Sequence, residues 1–168
     1  MSTVITQIKI MKHRSKDVVQ ISWRNNKNIR EEHEQEIRLL IDDVPQKLFD
    51  AMLALREDVV DLCLPFLNTI QRADFEGQME VKGVSISHQD GQSDNDGDPY
   101  FGAVITCQSE AKCNSPWCYN TPHLTTRAID FDNGAGMLPK MRKHINDLMD
   151  VAEDIAIHGE RNTENKLI

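Results

Sequence analysis

The sequence predicts an α+β protein: a mainly antiparallel sheet, built from an N-terminal meander and a central hairpin, with two amphipathic helices packed on one face. Three observations lead there. The first forty residues alternate apolar and polar side chains with the two-residue period of a strand. Two later stretches repeat their apolar residues at the three-to-four spacing of a helix. Strands come in runs, not singly between helices, and that order excludes a doubly wound parallel sheet.

Each element has its own signal. In residues 3–11, Val4, Thr6, Ile8 and Ile10 share one face of an extended chain, and Ile5, Gln7, Lys9 and Met11 the other. The polar run KHRSK turns the chain. Val19, Ile21 and Trp23 then alternate with Val18, Gln20 and Ser22 in a second strand, and RNNKN is a further turn signal. The next stretch fits two templates: Ile29, His33, Ile37 and Ile41 suit a helix, while Ile37, Leu39 and Ile41 suit a strand. A third strand near 34–42, completing the meander, is the favoured reading.

The clearest helix covers DDVPQKLFDAMLALREDVVDLC. Asp43 suits its N-cap, because a carboxylate accepts the orphan backbone N–H groups there, and Pro45 is tolerated in the first turn. Leu48, Met52, Leu55, Val59 and Leu62 form an apolar stripe, widened by Phe49 and Leu53, and Pro65 stops the helix. Cys63, beside the stripe, reads as a buried inert thiol. EVKGVSIS (80–87) and YFGAVITC (100–107) read as a hairpin, the second strand apolar on both faces. A short strand is expected at 115–120. Irregular chain follows through TTRAIDFDNGAGML, where Gly134 and Gly136 permit unusual backbone angles. The closing helix opens at Pro139, buries Met141, Ile145, Leu148, Ala152 and Ile155, and is expected to stop at Gly159. No internal repeat and no linker is visible, so residues 1–160 read as a single α+β domain and 161–168 as a flexible tail.

A chain of 168 residues, 39 % hydrophobic, can bury a core without staples. Aromatics make up only 5 %, so aliphatic side chains must fill that core. No apolar run approaches the ~18 residues that span a bilayer. The N-terminus lacks the basic–apolar–small order of a signal peptide, so the expected compartment is the cytoplasm, with reduced thiols. The net charge of −8 conceals a polarity. Lys9, Lys12, Arg14, Lys16, Arg24, Lys27 and Arg30 stand against Asp17 alone in the first thirty residues, and the remainder holds twelve basic and twenty-six acidic residues. A basic end on an acidic body suits contact with a phosphate, or the docking of one subunit's end on another's body.

The densest chemistry lies in CQSEAKCNSPWCYNTPH, residues 107–123. Cys113, Cys118 and His123, with Cys107, have the composition of a structural zinc site. Their spacing opposes it, since no C-x2-C pair exists and Cys107 falls in line with Phe101, Ala103 and Ile105 on a core-facing side. Cys118 and His123, with Asp130 orienting the ring, are the nucleophile–base alternative. The favoured reading is incidental thiols around a structural turn, and no cofactor is expected. In DGQSDNDGD, a calcium loop would need ligands where Gln92 and Ala103 stand, so Asp90, Asp94, Asp96 and Asp98 read as a solvated hairpin tip. There is no P-loop, dinucleotide fingerprint, H-E-x-x-H or G-x-S-x-G. Trp23 keeps register with Val19 and Ile21, which assigns it to the core and not to base stacking.

VKGVSISH, followed by YFGAVITC and NSPWCYNTPHL, is similar to small uncharacterised proteins encoded by tailed bacteriophages, over residues 43–158. The resemblance implies a phage setting, in a bacterial host's cytoplasm, and an accessory or host-takeover role. It brings no activity with it and singles out Asn120, Thr121 and His123.

The expectation is a non-enzymatic, homo-oligomeric binding protein that binds a host protein or sequesters a small anionic, nucleotide-like ligand. The candidate ligand-binding residues are Asn120, Thr121, His123, Lys9, Lys12, Arg14, Lys16, Arg24 and Lys27. The alternatives are a nucleic-acid-associated module using the basic N-terminal hairpin, and a Cys/His-dependent enzyme.

Overall fold

The computed structural model describes residues 3–25, 34–63, 77, 79–93, 97, 99–109 and 118–166. The period-two segments form β1 (Thr3–His13), β2 (Lys16–Asn25) and β3 (Glu34–Leu40), joined as an antiparallel meander. The β1–β2 hairpin closes through Arg14 and Ser15, both at positive φ (52° and 67°), a two-residue turn whose twist matches that of the strands. An irregularity between Ile5 and Gln7 shifts the register, so Ile5 joins Ile8 and Ile10 on one face. The sequence pattern had placed Ile5 on the opposite face, because strict alternation takes no account of a bulge. His88 stabilises this point by donating from Nε2 to the Ile5 carbonyl at 2.7 Å.

β3 resolves the ambiguous stretch as a strand, with Ile37 opposite Ile21 and Leu39 opposite Val19. A 3-10 turn (Ile41–Asp43) leads into α1 (Gln46–Cys63). Asp43 therefore belongs to that turn and not to the helix N-cap, and Leu48 N donates to Pro45 O instead. Leu48, Met52, Leu55 and Val59 are buried as the spacing requires, and Val60 joins them. Leu53 does not: it lies off the stripe and is 57 % exposed.

β4 (Met79–Ser93) and β5 (Pro99–Ser109) form the central hairpin, with Val84 opposite Ile105. β6 (Cys118–Asn120) and β7 (Leu124–Thr125) share the outer edge of β5. A short α2 (Ala128–Asp132) precedes α3 (Pro139–Lys166). Gly134 takes the positive φ (77°) foreseen for it. Gly136 serves by its size, since a Cβ there would lie 2.8 Å from Phe131 Cα. The backbone of α3 passes through Gly159 to Lys166, so glycine there does not end the helix. The side chain of Cys63 and residues 26–33, 64–76, 94–96 and 110–117 lie outside the described ones.

The strand order is β3-β2-β1-β4-β5-β6, with every strand pair antiparallel. This order reads the same from either end. A hairpin, a third edge strand and a helix occur twice, with β1 and β4 side by side at the centre. The helices pack on each other, α1 against β4 and α3 against β1 and β2, so each crosses to the other half. The core between sheet and helices is aliphatic: Ile5, Ile8, Val19, Ile21, Val84, Ile86 and Ile105 meet Leu48, Met52, Leu55, Val59, Met141, Ile145 and Leu148. Trp23 and Cys107 are buried in this core, in keeping with their register. No helix among the described residues is long and apolar enough to cross a membrane.

Candidate binding face

Both long helices lie on one side of the sheet, and alternation sends every second side chain to the other. Cross-strand register places Arg38, Gln20, Lys9, Gly83, Thr106 and Asn120 in one row across six strands. The neighbouring row holds Glu36, Ser22, Gln7, Ser85 and Val104. A third brings Ser87 beside Gly102, and Gly102 beside Thr125. Apart from Val104, the middle of this face is polar or glycine, with Gly83 and Ser85 of β4 between β1 and β5. Gly83 is buried, with the Ile8 carbonyl and Lys9 Cβ each 3.3 Å from where its own Cβ would stand, and His123 occupies the space over Gly102, so the glycines let neighbouring groups pack closely on this face.

The rows are joined by side-chain hydrogen bonds. Arg38 Nε donates to Gln20 Oε1 at 3.1 Å, and Gln20 Nε2 to Ser22 Oγ at 3.3 Å. Gln20 and Ser22 are buried, so these bonds satisfy groups that water cannot reach. Gln7 Nε2 donates to Ser85 Oγ at 3.5 Å. His123 lies flat over Gly102, where a Cβ would come within 2.5 Å of its Cε1, and its Nε2 is hydrogen-bonded to Ser87 Oγ at 2.8 Å.

The sequence-derived candidates divide accordingly. Lys9, Asn120 and His123 share the open face. Lys9 and Asn120 stand three strand spacings apart, about 14 Å. Arg24 is on this face as well, opposite Val4 near the far end of the hairpin, whereas Arg14 forms its turn and Lys12 and Lys16 flank it. Arg24 therefore sits at one end of the hairpin, Lys12, Arg14 and Lys16 at the other and Lys9 between them, so the five cations form no single patch. Thr121 is buried and committed to the fold: its Oγ1 accepts from Ile105 N at 2.9 Å, and its own N donates to Ile105 O. Lys27 and Cys113 lie outside the described residues, as do Asp94, Asp96, Asp98 and the side chain of Asp90.

Among the described residues of the cysteine stretch, Cys107, Cys118 and His123 do not converge. Cys107 faces the core, while Cys118 is exposed opposite Gln108. His123 stands over Gly102, six positions along β5 from Gln108, the partner of Cys118, so the two side chains do not meet. Asp130 accepts a hydrogen bond from Thr125 Oγ1 and does not orient His123. Among the described residues no three of His, Cys, Asp or Glu are grouped to hold a metal. The Ser87–His123 contact pairs a hydroxyl with an imidazole, but the backbone amides of β4 and β5 beside it belong to the sheet ladder. The groups this face presents are hydroxyls, amides, an imidazole and an ammonium group.

The sequence carried a signal for this face that residue-by-residue inspection missed. Gly83, Ser85 and Ser87 alternate with Val84 and Ile86, a strand with one apolar side and one side kept small and polar.

A second polar cluster joins the helices on the opposite side. Asp58 is 5 % exposed and accepts from His144 Nδ1 at 2.6 Å; Glu57 pairs with Lys140 nearby at 2.5 Å. Burial pushes the Asp58 carboxyl above its ordinary value, against the opposing pull of the His144 hydrogen bond and charge. The Glu57 hydrogen bond raises Lys140. Burial, reinforced by Asp150 and Asp154, raises Glu153.

No protein-family model, curated protein or solved structure matches the chain.

Proposed function

We propose that the chain is a non-enzymatic binding protein that holds a small anionic, nucleotide-like ligand on the open face of its sheet. One observation carries this reading: the row Gln20–Lys9–Gly83–Thr106–Asn120, which sets Lys9 in line with hydroxyl- and amide-bearing residues on one face of the sheet. The ammonium supplies the charge complement for a phosphate. Thr106, Asn120, Ser85 and Ser87 supply donors and acceptors for the rest of the ligand. The net charge of −8 opposes a long polyanion and favours a small one held locally. In the phage setting that the sequence resemblance implies, this capture would be sequestration of a small ligand in a bacterial host's cytoplasm.

Isothermal titration with nucleoside mono-, di- and triphosphates tests the reading, at low and moderate salt. Binding in the range of about 1–100 µM is expected for at least one of them, weakened about ten-fold or more by Lys9→Ala and by Asn120→Ala. No nucleotide binding tighter than ~1 mM, or unchanged affinity in Lys9→Ala, refutes it. Retention of a host protein through the same face, with no nucleotide bound, would redirect the reading to a protein partner.

A further inference from the structure

We propose that the outer edge of β3 is a homodimer interface, in which two copies pair β3 with β3 antiparallel about Ile37 and extend the sheet across both chains. Among the described residues β3 ends the strand order, and its seven residues form the long edge of this sheet. The opposite edge is broken into β6, of three residues, and β7, of two, with Pro122 between them, and such an edge resists pairing. β3 has no proline and no irregularity in its pairing with β2. Its core-facing Ile37 and Leu39 remain half-exposed, and Leu40 is 43 % exposed. A second strand laid alongside would cover them.

The charges on β3 choose the register. A two-fold axis perpendicular to the sheet preserves the faces, so only residues of like face can pair, and the axis must pass through a residue. With the axis at Ile37, Glu36 stands opposite the partner's Arg38, and Arg38 opposite the partner's Glu36. Moving the axis to residue 36 sets Glu36 against Glu36 while pairing Arg38 with the partner's Glu34, and moving it to residue 38 sets Arg38 against Arg38, so only the axis at Ile37 forms opposite-charge pairs with no like-charge pair. Like charges directly opposite are unfavourable and opposite charges favourable, so one register of the three is selected. Both side chains are available: Glu36 and Arg38 are exposed and hold each other at 3.2 Å within the chain, a contact that can be shared across the axis. The same charges repel strands that arrive in other registers, which is how natural edges avoid indiscriminate pairing. The interface is independent of the ligand reading, and its formation would place two open faces side by side.

Sedimentation velocity on the full chain reads the outcome. The expected species has twice the 19.2 kDa chain mass. Glu36→Arg and Arg38→Glu should each weaken dimerisation about ten-fold, because each puts like charges opposite one another twice per dimer. The double variant Glu36→Arg/Arg38→Glu exchanges the charges and should return to near wild-type affinity. Ile37→Cys should give a disulfide dimer through residue 37, identified by peptide mapping, since residues facing each other across antiparallel strands fall within disulfide reach. A wild-type monomer at about 100 µM overturns the proposal, as do single variants that dimerise like wild type or a double variant as weak as the singles. A dimer that never cross-links through residue 37 overturns the register.

Discussion

Replacing Asp58 separates the two physical effects that meet between α1 and α3. The carboxylate is buried and bonded to His144 Nδ1 at 2.6 Å. Asp58→Ala removes the acceptor and leaves the imidazole facing a gap. A hydrogen bond to a charged group contributes about 1.5–3 kcal/mol. The His144 side chain keeps 20 % exposure and can turn part of its polarity to water, so the lower part of that range applies, about 2 kcal/mol. For a domain of this size that is a fall in Tm of about 4–8 °C. Asp58→Asn should behave differently. Its amide oxygen can still accept from Nδ1, and it carries no charge to be desolvated. Burial is the largest influence on Asp58 and exceeds the opposing attraction of His144, so the neutral isostere should match or exceed wild-type stability at pH 7–8.

The pH dependence fixes the sign. The folded-state value of Asp58 lies above the unfolded value near 3.8, so the folded protein binds this proton more readily than the unfolded chain does. The contribution of this group to stability is fully present below the unfolded value and is lost as pH rises through the raised folded value. Urea unfolding of wild type and Asp58→Asn, from pH 4 to pH 8, isolates it by difference. Asp58→Asn should gain on wild type as pH rises. If it loses ground instead, or destabilises as much as Asp58→Ala at pH 8, attraction to His144 outweighs desolvation and the reasoning fails.

Three further outcomes follow from the geometry. Thr121→Val should cost about 1–3 kcal/mol in urea unfolding, because Ile105 N loses a buried acceptor, while Thr121→Ser should retain most of the stability. Gly136→Ala should cost about 1–3 kcal/mol in thermal unfolding, since the new Cβ meets Phe131 Cα, which is backbone and cannot rotate away. Ser15→Gly should raise stability by about 1 kcal/mol, relieving a side chain held at positive φ; no rise in Tm would indicate that the turn is under no strain.

The candidate face was legible in part. Lys9, Asn120 and His123 were singled out from composition and motif, and the structure puts them on one side of the sheet. The pairing of His123 with Ser87 was not legible, because these residues come from different strands and meet only when β7 folds back along β5. Thr121 looked like a ligand residue, yet its hydroxyl is used by the neighbouring strand, and residue type alone cannot distinguish those uses.

The sequence by itself determined the long strands of the first hairpin and of the central one and the two long helices: period two and period three-to-four are local properties, and they marked Val19, Ile21, Trp23, Met141, Ile145 and Leu148 for the core, whereas the short α2 within TTRAIDFDNGAGML carried no such pattern. Tertiary structure alone decided the rest. It set the bulge that turns Ile5 inward, the exposure of Leu53, the passage of α3 through Gly159, and the doubled arrangement around β1 and β4. These depend on contacts between residues far apart in the chain, where the neighbour across the sheet, and not the residue's own pattern, determines what each side chain can reach.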